Sequence, residues 1–132
     1  MEITILLDHN LEGIGVYLIA GLKETGWDQL IRLECKTLSD YGLPGNYPDD
    51  EIWRFVQQKR LLLITNNRNN DDEISLQATM QRENTPNSMP IITIPKTGAM
   101  GRADYRQRTV SRLAEIILYL DNNLGTGRLF IP

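Results

Sequence analysis

Three features of the sequence predict an α/β fold built on a mostly parallel sheet. Short apolar runs rich in Leu and Ile recur at Ile3–Leu7, Leu61–Thr65 and Ile91–Ile94. Strands buried on both faces read as such unbroken runs, because neither side of the pleat meets water. Between the runs, apolar residues return every three or four positions, the period of a helix with one buried face. Strands alternating with helices in this way argue for a layered α/β architecture.

Taken in order, Ile3-Thr4-Ile5-Leu6-Leu7 is a strand that stops at the polar Asp8-His9-Asn10. Leu11, Ile14, Leu18 and Leu22 then fall on one helical stripe, with Asn10 placed to cap it and Gly26 to end it. A weaker strand is expected at Gln29–Leu33. Lys36–Pro48, with Gly42, Pro44, Gly45, Asn46 and Pro48, reads as loop. Asp49-Asp50-Glu51 opens a helix carrying Ile52, Phe55 and Val56, and acidic residues suit its positive end. After the Leu61–Thr65 strand comes the polar run Asn66–Asp72, then a helix to about Gln81, broken by Asn84–Ser88. Pro90 leads into the Ile91–Ile94 strand. Past Gly98 and Gly101, Val110, Leu113, Ile117, Leu120 and Leu124 mark the longest helix. Gly125 and Gly127 end it, and Arg128–Ile131 is read as a last strand.

Composition narrows the chemistry. The 132 residues are the size of one domain, and no repeat, linker or low-complexity tract divides 1–132. With 41% hydrophobic and 23% charged residues, the balance is that of an ordinary soluble protein. The net charge of −3 excludes a globally basic nucleic-acid clamp, so a polyanion would have to meet a local patch. A lone Cys35 excludes a disulfide framework, and with His9 the only histidine there is no thiolate or His-rich metal site. Any metal would be a hard cation held by oxygen. No apolar run reaches the roughly 18 residues of a membrane span, and Met1-Glu2-Ile3-Thr4 lacks the features of a signal peptide. A cytoplasmic protein without membrane association is the expectation.

In open parallel sheets, ligands bind at the carboxyl ends of the strands near a topological switch point. That rule groups Asp8, after the first strand, with Thr65-Asn66-Asn67, after the Leu-rich one. Asp49 and Asp50 join them if the start of their helix reaches the same edge. Oxygen donors of this kind suit Mg²⁺ or Mn²⁺, ions that activate water and neutralise phosphate in phosphodiester cleavage. Lys96, Arg102, Arg106, Arg108 and Arg112, opposed between Lys96 and Arg112 only by Asp104, form a local basic stretch able to meet an RNA backbone.

The ordered set Ile-Leu-Leu-Asp8-His-Asn10-Leu, Asp49-Asp-Glu-Ile52-Trp53 and Leu-Leu-Ile-Thr65-Asn-Asn67-Arg-Asn69 resembles the small stand-alone PIN-like proteins, over about Ile3 to Ile94. The family pattern is a strand ending Asp-x-Asn-Leu, a helix opening Asp-x-x-Ile and a strand ending Thr-x-Asp-x-Asp-Phe. The resemblance implies a three-layer α/β/α sandwich and a Mg²⁺- or Mn²⁺-dependent ribonuclease, many such proteins being toxins of toxin–antitoxin pairs. It also implies homodimerisation and a small antitoxin-like protein partner. By position it makes Asp8 the first metal-binding carboxylate and Asp49 the second, with Asp50 a one-residue alternative. The third and fourth positions fall on Asn67 and Asn69, and the following aromatic on Asn70. An amide keeps a carbonyl oxygen but loses the charge and cannot act as a base. Asp71 or Asp72 is then needed to supply the missing charge. The competing expectation is a catalytically degenerate module that binds a protein or nucleic acid without cutting.

Plainer roles stand beside these. Asp8 and Asp49 are also good helix caps, the Asn run a turn-forming loop, and the arginines a solvated helix face. His9 reads as a surface-turn residue and Cys35 as a small apolar filler. Phosphoacceptor receiver domains, which Asp8 and Lys96 mimic in part, need an Asp after a central strand, where this chain has Thr65-Asn66-Asn67.

Overall fold

The computed structural model describes residues 1–66 and 71–132, with the backbone alone for residues 71–74. Five parallel strands, β1 (Glu2–Leu7), β2 (Arg32–Lys36), β3 (Leu62–Asn66), β4 (Ile91–Ile94) and β5 (Arg128–Phe130), form one sheet in the order β2-β1-β3-β4-β5. Its helices are α1 (Gly15–Thr25), α2 (Asp49–Lys59), α3 (Asp71–Glu83), α4 (Ala103–Leu118) and the short α5 (Leu120–Asn123). The register runs Ile5 beside Cys35 and Leu62, Ile64 beside Ile92, and Ile92 beside Leu129.

Alternation along the central strands divides the interior in two. Ile5, Leu7, Ile64, Ile92 and Ile94 meet Leu18 and Leu22 of α1 and Val110, Leu113 and Ile117 of α4. Leu6, Leu63 and Ile91 point the other way, onto Ile52, Trp53 and Val56 of α2 and Leu76 and Met80 of α3. The molecule is therefore a three-layer α/β/α sandwich, as the apolar runs require: a strand buried on both faces needs a helical layer over each.

The layers carry one unusual connection. Moving along the sheet from β3 to β4, the chain crosses by α3 on one face. It crosses from β4 to β5 in the same direction by α4 on the opposite face. The β4–α4–β5 crossover thus has the opposite hand to those before it, against a strong general preference for a single hand.

Three local expectations are corrected. The turn after β1 is a 3-10 segment, His9–Ile14, capped by Asp8 rather than Asn10, with the His9 N–H donating to Asp8 Oδ1 at 2.8 Å. β2 starts and ends three residues later than the expected strand, at Arg32–Lys36 in place of Gln29–Leu33. Trp27–Gln29 is used in a tight turn, with Ile31 N–H donating to the Trp27 carbonyl, and pairing with β1 begins only at Arg32. The last helical stretch breaks at Tyr119 (φ −110°, ψ 37°), so Leu120 and Leu124 lie beyond the end of α4. Gly26 ends α1 as expected, in the left-handed conformation at φ 82°.

Candidate functional site

β1 is the strand at which the sheet reverses direction, with β2 on one side and β3 on the other. The carboxyl ends of β1 and β3 are therefore the switch point, where a crevice opens between oppositely directed connections. Asp8 stands there. Its N–H donates to the Ile64 carbonyl at 3.1 Å, extending the β1–β3 ladder, and its own carbonyl accepts from Leu11 N–H at 2.8 Å. Backbone bonds thus hold Asp8 at the point where the chain leaves the sheet. Its side chain is half-buried and also caps the following turn. The capping role and the position at the switch point belong to the same residue.

Asp49 arrives at this edge through topology. A helix between parallel strands runs back down the sheet, so its N-terminus lies over the carboxyl ends. Asp49 is the first residue of α2, preceded by Pro48 at φ −60°. Asp50 is turned to other use: its Oδ2 accepts from Arg54 Nη1 at 3.2 Å, and Glu51 reaches the same guanidinium at 3.5 Å. Arg54 in turn grips Glu83 of α3 through Nε at 3.0 Å and Nη2 at 2.7 Å, which holds the Glu83 carboxyl below its ordinary range. Of the two candidate acids at this helix start, Asp50 thus belongs to the α2–α3 clasp. Asn67 and Asn69 lie outside the described residues. Asp71 and Asp72 open α3 at the same edge, and their side chains lie outside the described set.

The loop before α2 folds against the end of β1. A Cβ built on Gly45 would lie 2.8 Å from His9 Nδ1 and 2.9 Å from Cε1, so the imidazole rests on the glycine backbone. His9 Nδ1 is also 3.9 Å from Glu12 Oε1. Beneath the edge, on the α2–α3 side, the hydroxyls of Thr65 and Thr93 pair at 3.1 Å, and Arg128 Nη1 donates to Thr93 at 3.0 Å. Neither arrangement carries a signal in the sequence, because each joins residues on different elements.

The basic stretch separates into distinct roles. Lys96, exposed just after β4, and Arg102, immediately before α4, lie at the carboxyl edge, with Arg102 paired to Asp104 at 2.9 Å. Arg106 is mostly buried. It holds Glu24 of α1 at 2.6 Å and donates to the carbonyls of Met100 and Gly101 at 3.1 and 3.0 Å. Arg108 lies 5.8 Å from the centre of the Tyr105 ring, and Arg112 pairs with Glu115 at 3.4 Å. At about 1.5 Å per residue, α4 carries Arg112 roughly 15 Å away from Arg102. Only Lys96 and Arg102 of this group stand at the edge.

The donor chemistry suits a hard cation. Asp8 and Asp49 offer carboxylate oxygens, and Mg²⁺ is typically held by one or two carboxylates with water and phosphate oxygens filling the rest of its shell. Among the described residues, no cluster of three or more His, Cys, Asp or Glu is placed to hold a metal ion, and no helix is long and apolar enough to cross a membrane. Comparison with protein-family models, with curated proteins and with solved structures finds no match.

Proposed function

We propose that the chain is a PIN-like, divalent-metal-dependent phosphodiesterase acting on RNA in the cytoplasm. The observation that carries this reading is that Asp8 and the α2 start bearing Asp49 lie on the same carboxyl edge of a parallel sheet, with Asp8 at its switch point. The motif order in the sequence supports it. Bound at that edge, Mg²⁺ or Mn²⁺ would supply water activation and charge neutralisation at phosphorus. Asp8 and Asp49 provide the anionic oxygens that hold the cation. Lys96 and Arg102 bind phosphate oxygens of the strand being cut.

Calorimetric titration with Mn²⁺ tests the reading without a guess at substrate. Wild type is expected to bind saturably and Asp8→Asn to lose that binding, since the amide keeps the cap to His9 N–H but not the charge. Equal binding by the two proteins would overturn it. The amides at Asn67 and Asn69 favour the second reading, a non-cleaving module. On that reading wild type binds no Mn²⁺, and Asn67→Asp with Asn69→Asp creates the affinity. The toxin form of the cleaving reading expects a small antitoxin-like protein as its masking partner; either reading allows a second copy, which sedimentation of the purified chain checks.

A further inference from the structure

The His9–Gly45 contact joins two segments that each carry a candidate carboxylate. His9 follows Asp8 directly, and Gly45 lies in the loop that ends at Asp49. The loop has its own internal ties: Leu43 N–H donates to the Leu38 carbonyl at 3.0 Å, and Tyr47 N–H to the Pro44 carbonyl at 3.1 Å. Leu43 and Tyr47 are anchored on the α2–α3 core, which leaves Gly45 at the tip, facing the end of β1. There the flat edge of the imidazole, Nδ1 to Cε1, occupies the space that any side chain at position 45 would need. Gly45 has no positive φ to explain the glycine; the close approach of the ring does.

Resting on the reading above, we propose that His9 is a positioning residue. Its imidazole, seated on Gly45, latches the loop before α2 to the end of β1 and sets the spacing of Asp8 and Asp49. The ring is 57% exposed, so a methyl group at position 45 displaces it into solvent at little cost to the fold. His9→Ala and Gly45→Ala therefore open the same latch from opposite sides, and their effects coincide instead of adding.

The test is Mn²⁺ titration and amide hydrogen exchange on wild type, His9→Ala, Gly45→Ala, the double variant and His9→Phe. Each alanine variant is expected to bind Mn²⁺ about tenfold more weakly, the usual effect of losing a group that orients a ligand. The double variant should be no weaker than either single one. Exchange should speed up across residues 43–47 in all three, with the melting temperature nearly unchanged. His9→Phe, which keeps a flat ring without ligating nitrogens, should behave as wild type. Loss of affinity in His9→Ala with full affinity in Gly45→Ala would make His9 a ligand and overturn the proposal, as would losses that multiply in the double variant. If wild type binds no Mn²⁺, the metal reading fails on its own. Exchange then decides the latch: faster in both single variants supports it, and unchanged in both rejects it.

Discussion

At the scale of single residues, close approach explains more of this molecule than charge does. Gly21, in the middle of α1, is the point where that helix touches α4. A Cβ there would lie 2.5 Å from Val110 Cγ2 and 3.1 Å from its Cβ. Val110 is fully buried and cannot retreat. Gly21→Ala gains helix propensity of up to about 1 kcal/mol but overpacks the contact by about 1–3 kcal/mol. The net expectation is a lower urea midpoint, recovered when Val110→Ala is added; an unchanged or higher midpoint in the single variant would refute the packing argument. Cys35 is governed by burial instead, packed against the core on the α1 side of the sheet. Burial, with Glu34 adding to it, pushes its thiol up to about 11, so the sulfur is neutral near pH 7 and behaves as the small apolar filler its surroundings suggest.

At the scale of elements, each helical layer is locked by one arginine. Arg54 of α2 holds Glu83 of α3, and Arg106 of α4 holds Glu24 of α1. The Glu24 carboxyl lies below its ordinary range because Arg106, and then Gln107, donate hydrogen bonds to its charged form. A carboxyl group lowered by folding adds stability above its unfolded pKa, about 4.3 for Glu. That contribution disappears as pH falls through the lower, folded value. Glu24→Gln is therefore expected to be less stable than wild type at pH 7, with the gap closing as the solution is acidified below pH 4. Urea titrations at the two pH values measure it, and a gap that persists in acid would show that Glu24 acts through packing instead. The same clasp explains why the basic stretch of the sequence is not a continuous track: Arg106 spends its charge inside the protein.

At the scale of the whole molecule, the last strand closes the sheet. β5 is short, yet Ile131 just after it is fully buried, and Tyr105 Oη donates to the Pro132 carbonyl at 2.9 Å. Arg128 adds the bond to Thr93. Deleting residues 128–132 uncovers β4 along its length and removes about 3–5 kcal/mol of apolar burial and packing. Since domains are stable by only about 5–15 kcal/mol, the truncated chain should lose its cooperative thermal transition or melt at a much lower temperature. A melting curve like that of the full chain would show β5 to be dispensable.

What could be read from the sequence follows what is local. β3 and β4 are buried on both faces, so every residue reports the sheet, and their apolar runs stand out. β2 is an edge strand with exposed Arg32 and Glu34, and its half-polar pattern does not fix its register, which differs by three residues from the sequence expectation. The α4 stripe was legible from its period, but its break at Tyr119 was not, because no glycine or proline marks it. Asp8 could be singled out from its place at the end of a strand. The contact of His9 with Gly45, the grip of Arg54 on Glu83 and the opposite hand of the β4–β5 crossover could not. The sequence by itself determined the alternation of strand and helix, the two-sided burial of the central strands and hence the layered α/β class, since each rests on the solvation of neighbouring residues. Only the tertiary structure decided the strand order, which helix starts meet at the carboxyl edge and which charges neutralise one another. Those pairings join residues far apart in the chain, and local periodicity carries no information about which strand lies beside which.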